Sequence, residues 1–204
     1  MKTKAESPLY TAPEAGCGTD EKGREESLLD RLMKTRTVMI SEPISSDLSR
    51  KILPRLLLLE AEDKKAPVKV LINSPGGAVD DGFAIYDMMR FIECPVITIC
   101  VGLAASAATI ILLGGDKGSR LTLPNTRVLL HQPSHGVRGA ASDIEITANE
   151  IVRIRERINL ILEKETGQSM EKLLADMNRD FWLSAEEAVE YGLLDRIITN
   201  ASEI

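Results

Sequence analysis

The sequence predicts an α/β fold in which helices cover a mainly parallel sheet. Three apolar stretches of strand-forming residues, at 68–72, 96–101 and 127–130, are typical of buried strands. Turns follow the first two stretches, and helical segments follow the turns. Successive strand–turn–helix units favour right-handed crossovers and place their turns at the carboxyl ends of the strands, where functional sites are usually built.

Apolar periodicity predicts the elements around these units. A short amphipathic helix begins near Leu28, a strand covers 37–40, and a further helix follows Ser45. Pro54 falls inside that helix and predicts either a kink or a later start. Helices are also predicted at 82–91 and 106–113, with a turn at 102–105. The helix after Ser45 has one apolar face, formed by Leu48, Ile52, Leu56 and Leu59.

The most regular helix begins near Ser142 and continues to Gly167. Ser142 and Glu145 fit a capping box at its start. Its apolar stripe fits equally well a contact with its own sheet and a contact with another subunit. A second capping box, Ser184 to Glu187, opens a helix ending near residue 192, and an apolar strand at 193–198 closes the fold. The stripe consists of Ile144, Ala148, Ile151, Ile154, Ile158 and Ile161.

Length and composition predict a single domain at 27–200 that follows a mobile polar tail at 1–26. A net charge of −6 and an aromatic content of 3% argue against a nucleic-acid partner, which requires a basic face and stacking platforms. Because no segment is apolar enough for a bilayer or a signal peptide, we expect a cytoplasmic protein without a membrane partner. Cys94 and Cys100 flank or lie within a buried-looking strand and predict core thiols, and the odd number and irregular spacing of the three cysteines, Cys17 included, argue against a disulfide framework. Two histidines and the lack of a CxxC pair predict no structural zinc site.

Ser106 is the candidate nucleophile, because it lies among glycine and alanine residues at a predicted strand-to-helix junction. Small neighbours let a substrate carbonyl approach, and the free N–H groups of a helix start stabilise an oxyanion. The alternative is a buried serine whose hydroxyl bonds back to the backbone, and this stretch alone favours that alternative. A candidate base and a candidate carboxylate elsewhere in the chain favour the catalytic interpretation of Ser106 over a back-bonded serine.

His131 is the preferred base, since it follows an apolar strand that holds it rigidly, whereas His135 lies in a predicted loop. The chain offers several candidates for the orienting carboxylate. Asp180 precedes an apolar run, 181–183, that could bury it beside an imidazole. The residues alone leave three alternatives open, Asp176, Asp143 and Asp87.

The stretch 74–77, Ser-Pro-Gly-Gly, is a second source of backbone N–H groups. Its two glycines can adopt positive φ and let the backbone approach a ligand, although a plain tight turn explains them equally well. The amides of Gly77 and Ala107 together would form an oxyanion hole.

Six short motifs occur in the order and spacing of the ClpP family, the proteolytic subunits of ATP-dependent Clp proteases. They lie at 72–77, 104–106, 123–125, 131–133, 166–168 and 179–180. From about residue 37 to 198 the sequence resembles this family. The resemblance implies a serine endopeptidase for unfolded polypeptides, with Ser106 as nucleophile, His131 as base and Asp180 as the orienting carboxylate. It also implies Gly77 and Ala107 as the oxyanion hole.

The resemblance further implies a ClpP/crotonase-like spiral of β-β-α units with a protruding handle at about 134–166. Two stacked seven-membered rings, homo- or hetero-oligomeric, are expected to dock a Clp-family AAA+ ATPase. That partner uses the ATP, so we expect no cofactor on this chain. Ring contacts are expected at Ile144, Ile151 and Arg179. Substrate contacts are expected at Gly76, Val79, Pro133, Ser134 and Gly136.

Three departures from the family pattern bear on assembly and specificity. The polar tail replaces an apolar N-terminal start, Asn178 replaces a commonly acidic residue, and Ala107 replaces a larger methionine, which favours a wider S1 pocket. Together they suggest one isoform of a two-isoform system. The alternatives are a non-catalytic or weakly active ring subunit of a mixed-isoform Clp complex, a related-fold acyl-CoA enzyme, and a serine–lysine peptidase.

Overall fold

The computed structural model describes residues 28–134 and 136–204, so the predicted tail, Cys17 and His135 lie outside the described residues. Residues 28–34 form α1, as predicted. The following elements are β1 (Thr37–Ile40), α2 (Ser46–Glu62), β2 (Val68–Ser74), α3 (Val79–Phe91), β3 (Val96–Ala105), α4 (Ala107–Leu112), β4 (Arg120–Thr122), β5 (Arg127–Leu130), α5 (Ala141–Thr166), α6 (Met170–Asp176), β6 (Phe181–Ser184), α7 (Ala185–Glu190), β7 (Arg196–Ile197) and a final 3-10 turn (Ala201–Glu203).

A parallel sheet with the strand order β1-β2-β3-β4-β7 organises the fold, which confirms the α/β prediction. The long strand β3 pairs with β4 through Thr98–Cys100 and with β5 through Leu103–Ala105. The other edge of β5 pairs with β6 in the antiparallel direction. The end of β3 is therefore the point where the main sheet meets the β5–β6 pair.

Helix α2 buries the four predicted apolar residues. It begins at Ser46, before Pro54, so the alternative in which the helix starts late because of Pro54 is wrong. The Ser45 side chain accepts a hydrogen bond from the Leu48 N–H (3.3 Å) and caps the helix at its start. Pro54 lies inside the helix on its exposed side. Water can therefore satisfy the Arg50 carbonyl that loses its helical partner.

Strand β3 continues to Ala105, so the predicted turn at 102–105 is wrong. Ala104 and Ala105 stay extended because they pair with Val128 and Leu129 of β5. Helix α3 likewise starts three residues before its predicted start, at Val79. The consequence for the site is that Ser106 follows directly from a paired strand.

Helix α5 divides the predicted apolar stripe between two environments. Ile158 is buried in the core and Ile154 and Ile161 pack against it, whereas nearly every residue from 141 to 150 is exposed. The N-terminal half of α5 therefore makes little contact with its own domain. Gly167 ends the helix in the left-handed conformation (φ 77°), as predicted. The capping box at Ser142 is wrong, because the helix has already begun at Ala141 and Ala140 offers no side-chain cap.

At the carboxyl end, the capping box between Ser184 and Glu187 is confirmed. The predicted closing strand is reduced to Arg196–Ile197. Cys94 and Cys100 are buried free thiols, as predicted. In the two described ranges, no helix is long and apolar enough to cross a bilayer.

Candidate active site

Ser106 occupies a strained turn between β3 and α4. Its φ of 55° lies in the left-handed region, which is rare for a residue other than glycine and is typical of functional positions. The turn is held because the Ser106 N–H donates to the Leu129 carbonyl (3.0 Å) and the Thr109 N–H donates to the Ser106 carbonyl (2.9 Å). The Ser106 side chain is half-buried and its hydroxyl makes no capping hydrogen bond to the start of α4, so the back-bonded alternative is not found among the described residues. A strand–serine–helix turn of this kind presents the hydroxyl to a substrate.

The antiparallel register of β5 and β6 places His131 opposite Asp180. Leu130 pairs with Phe181, so the next residues outward face each other. The His131 Nδ1 lies 3.6 Å from the Asp180 Oδ1, a contact slightly longer than a hydrogen bond. The expectation that an apolar run buries Asp180 is wrong. Its side chain is 66% exposed because β6 is an edge strand and Trp182, in the run expected to cover it, is itself 43% exposed.

The other ring nitrogen of His131 is the one that a base beside Ser106 would use. Its Nε2 is buried and has no hydrogen-bond partner within the described part of the chain. His131 and Ser106 line one small pocket of about 20 Å³, together with Val79 and Pro133 from the expected substrate-contact set. Apolar side chains complete the lining of this pocket, among them Ile110, Ile158 and Met177.

The three alternative carboxylates lie in other environments. Asp176 is bonded to the Lys172 ammonium (2.6 Å) and the Tyr191 hydroxyl (2.7 Å). Burial opposes its ionisation, but these two hydrogen bonds outweigh the burial and lower the pKa of Asp176. Asp87 is exposed on α3 and Asp143 is exposed at the start of α5. Of the four candidates, only Asp180 lies within 4 Å of His131.

The Ser-Pro-Gly-Gly stretch lies directly beside Ser106, because Ser74 of β2 is level with Ala104 of β3. Gly76 packs so closely that a Cβ there would lie 2.5 Å from the Ala105 carbonyl oxygen and 2.7 Å from the Ser106 Cβ. The two glycines have positive φ (87° and 151°), as their motif predicted.

The amide of Gly77 has the freedom that an oxyanion donor needs. The Ile44 N–H donates to the Gly76 carbonyl and the Ala78 N–H donates to the Ile44 carbonyl, both at 2.9 Å. These bonds fix the backbone on either side, while Gly77 is exposed and its N–H has no acceptor among the described residues. The Ala107 N–H is the first of α4 and has no intrahelical acceptor.

The remaining predicted residues divide between this site and the surface. Ser134 and Gly136 are exposed and lie outside any strand or helix. Arg179 is exposed immediately before Asp180. Ile144 and Ile151 lie on α5 and are not brought to the pocket. Within the part of the chain that the structure describes, no three His, Cys, Asp or Glu side chains converge to hold a metal ion.

Sequence reasoning missed two features of the site. The first is that Ile158 and Met177 line the pocket with Ser106, because the apolar stripe of α5 does not indicate which of its turns lies beside that serine.

The second missed feature is Gln132. Its N–H donates to the Met177 carbonyl (3.1 Å) and its side-chain amide donates to the Asn178 carbonyl (3.3 Å). The position of Gln132 after the predicted base was the only available signal.

A serine on a strained turn, a histidine facing its pocket and a carboxylate behind that histidine are the arrangement of serine-type hydrolases. The family model for Clp protease matches residues 20–201. Among solved structures, a ClpP1 mutant from Listeria monocytogenes is similar with a TM-score of 0.79 and 43% sequence identity. The match covers 86% of this chain and 98% of that chain. The chain belongs to the Clp protease family and is a serine-type peptidase.

Family membership also gives the general setting of this peptidase. It implies a proteolytic subunit with the ClpP fold, a ring assembly and an ATPase partner. The acyl-CoA-enzyme and serine–lysine alternatives are therefore wrong.

Proposed function

We propose that Ser106, His131 and Asp180 hydrolyse unfolded polypeptides through an acyl-enzyme. The Ser106 Oγ attacks the peptide carbonyl carbon while the His131 Nε2 takes its proton. The amides of Gly77 and Ala107 bind the oxyanion, and His131 then protonates the leaving amine. Water then attacks the acyl carbonyl carbon as the His131 Nε2 takes its proton, and that proton passes to the Ser106 Oγ as the ester bond breaks. The observation that carries the proposal is that His131 and Ser106 line one pocket, while the buried His131 Nε2 has no partner among the described residues and Asp180 lies at the opposite nitrogen.

The same proposal assigns the substrate contacts. Val79 and Pro133 line the apolar pocket and would contact a substrate side chain. Ser134 and Gly136 are exposed and belong to no strand, so the main chain of these two residues is free to pair with a substrate strand. Gly76 would let the substrate backbone approach, since its lack of a Cβ already lets it touch Ser106. Main-chain recognition of this kind makes little demand on substrate sequence.

The proposed working assembly consists of two stacked heptameric rings in the cytoplasm, with a Clp-family AAA+ ATPase that unfolds and feeds substrates. The exposed apolar residues on the outer half of α5 support a contact between subunits. Asn178 and the polar N-terminal sequence support pairing with a second ClpP isoform. We propose no cofactor for this chain, because the triad chemistry requires none and ATP would be consumed by the partner.

Fluorophosphonate labelling tests the nucleophile. The chain is labelled alone and after mixing with a second ClpP subunit type, beside Ser106→Ala and the exposed-serine control Ser202→Ala. We expect wild type and Ser202→Ala to be labelled and Ser106→Ala to be unlabelled. Absence of wild-type labelling in every assembly state would overturn the proposal and favour a non-catalytic ring subunit.

A further inference from the structure

The loop at 177–180, between α6 and β6, carries Asp180 at its end. The Asp180 carboxylate is largely exposed and accepts no hydrogen bond from the described residues. Among the described residues, the side chain makes no hydrogen bond or ion pair other than its contact with His131. Its placement therefore depends on how the backbone of this loop is anchored.

One anchor ties the loop to the residue after the base. The Gln132 N–H and side-chain amide donate to the carbonyls of Met177 and Asn178, respectively. These two bonds fix the first half of the loop relative to His131. They do not fix Asp180, which lies two residues further along.

A second anchor holds both flanks of the loop through one side chain. Tyr191, which is 6% exposed, donates from its hydroxyl to Asp176 just before the loop (2.7 Å). Its ring packs against Phe181 just after the loop, with ring centroids 5.5 Å apart. Lys172 donates to the same carboxylate (2.6 Å) and lies 5.0 Å from the Tyr191 ring. A buried hydroxyl bonded to an ionised carboxylate is a strong, directional contact, so it suits the task of holding two segments together.

We propose that Tyr191 and Asp176 are positioning residues that hold the 177–180 loop so that Asp180 faces His131. This inference rests on the proposed function of Asp180. A misplacement of 1 Å in a catalytic group can lower a rate on the order of 10²-fold. Because Tyr191→Phe keeps the ring contact and removes only the hydroxyl, we expect a loss of about tenfold in kcat with KM little changed.

A double-mutant cycle tests the inference with the assembled enzyme. The rates of fluorogenic-peptide hydrolysis and fluorophosphonate labelling are compared for wild type, Tyr191→Phe, Asp180→Ala and the double variant. If Tyr191 acts through Asp180, its removal lowers the rate in wild type and has no further effect once Asp180 is absent. Tyr86→Phe is the matched control, because Tyr86 is also 6% exposed and its hydroxyl makes no hydrogen bond within the described ranges. We expect it to be neutral.

Two outcomes of the double-mutant cycle would overturn the inference. An equal loss in both backgrounds would show a general structural effect, and no loss in wild type would show that the hydroxyl is dispensable; either outcome overturns the inference. A conservative variant adds a second readout. Asp176→Asn keeps an acceptor for Tyr191, so it should retain more activity than Asp176→Ala, and equal loss in the two would also contradict the proposal. Absence of wild-type labelling would instead refute the proposed function itself.

Discussion

At the scale of single residues, the close contact between Gly76 and Ser106 constrains the proposed nucleophile. A methyl group at position 76 would overlap the Ala105 carbonyl oxygen and the Ser106 Cβ, so Gly76→Ala must displace the turn that holds the hydroxyl. We expect peptidase kcat/KM to fall by about 10²-fold or more, because a catalytic group moved by about 1 Å loses that much.

Gly118→Ala is the matched control for this substitution. Gly118 has nearly the same φ (89° against 87°), but a Cβ there meets nothing within 4 Å. It therefore has the same backbone strain, about 1 kcal/mol, without the clash. If Gly118→Ala lowered activity as much as Gly76→Ala, strain alone would explain the loss and the contact with Ser106 would be irrelevant.

The sequence predicted the triad residues unevenly, and the reason lies in register. Ser106 and His131 each follow a strand whose apolar pattern is visible, so their placement could be inferred. Asp180 could not be separated from Asp176 because their difference depends on the pairing of β5 with β6. A four-residue edge strand carries no periodic signal, and only the pairing shows that residue 180 is opposite residue 131.

At the scale of elements, a buried ion pair anchors the root of α5. Arg120 of β4 donates to the Glu165 carboxylate, with both side chains 2% exposed, and also to the Gly115 carbonyl (2.9 Å). Glu165→Gln leaves the arginine charge buried without its partner. We expect a loss of about 3–5 kcal/mol in the free energy of unfolding, measured by denaturant titration.

Glu150→Gln, on the exposed part of the same helix, is the control. Its ion pair with Arg153 lies at the surface, so its removal should change stability by no more than about 1 kcal/mol. A similar loss in the two variants would contradict the anchoring role of Glu165.

The same ion pair predicts a pH dependence of stability. Burial raises the pKa of Glu165, but the hydrogen bond and charge of Arg120 prevail and lower it below its ordinary value. A depressed folded-state pKa stabilises the protein above the ordinary carboxyl pKa, and this stability is lost as the pH falls through the depressed value. Unfolding midpoints measured from pH 7 downward should therefore fall less steeply in Glu165→Gln than in wild type. Parallel curves would show that Glu165 does not contribute to acid sensitivity.

Elements with a repeating apolar face could be predicted, whereas short elements fixed by their neighbours could not. The apolar faces of α2 and α5 extend over several turns, so both helices were predicted. The start of α5 was misplaced because a capping box was expected at Ser142, and the helix begins at Ala141 without a side-chain cap. Strand β4 has three residues and α6 has seven. The end of β3 was missed for the same reason, because its alanines are extended only through pairing with β5.

At the scale of the whole molecule, the outer half of α5 exposes apolar surface that its own domain does not cover. Ile144 and Ile146 are 43% and 68% exposed. If this half of α5 joins the two rings, Ile144→Asp should divide the particle into single rings, because a buried unpaired carboxylate is costly at an interface. Native mass spectrometry of the assembled complex measures the change, and Ile144→Val should leave the particle whole. An intact double ring with Ile144→Asp would exclude this contact.

Assembly is also expected to control the chemistry. Among the described residues of the single chain, His131 and Asp180 are 3.6 Å apart and the His131 Nε2 has no partner, so the proposed triad is close to but not in its hydrogen-bonded geometry. Arg179 is exposed and directly precedes Asp180, so a neighbouring subunit that binds Arg179 would shift the position of the Asp180 carboxylate.

Position 178 commonly carries an acidic residue in this family, and Asn178 lacks that charge. We therefore expect this chain alone to be weakly active and a second ClpP isoform to restore peptide hydrolysis. Sedimentation velocity measures the assembly state, and a fluorogenic-peptide assay measures hydrolysis. Ser106→Ala in the mixed complex separates the activity of this chain from that of the second subunit. An active fourteen-subunit particle formed by this chain alone would contradict the requirement for a second isoform.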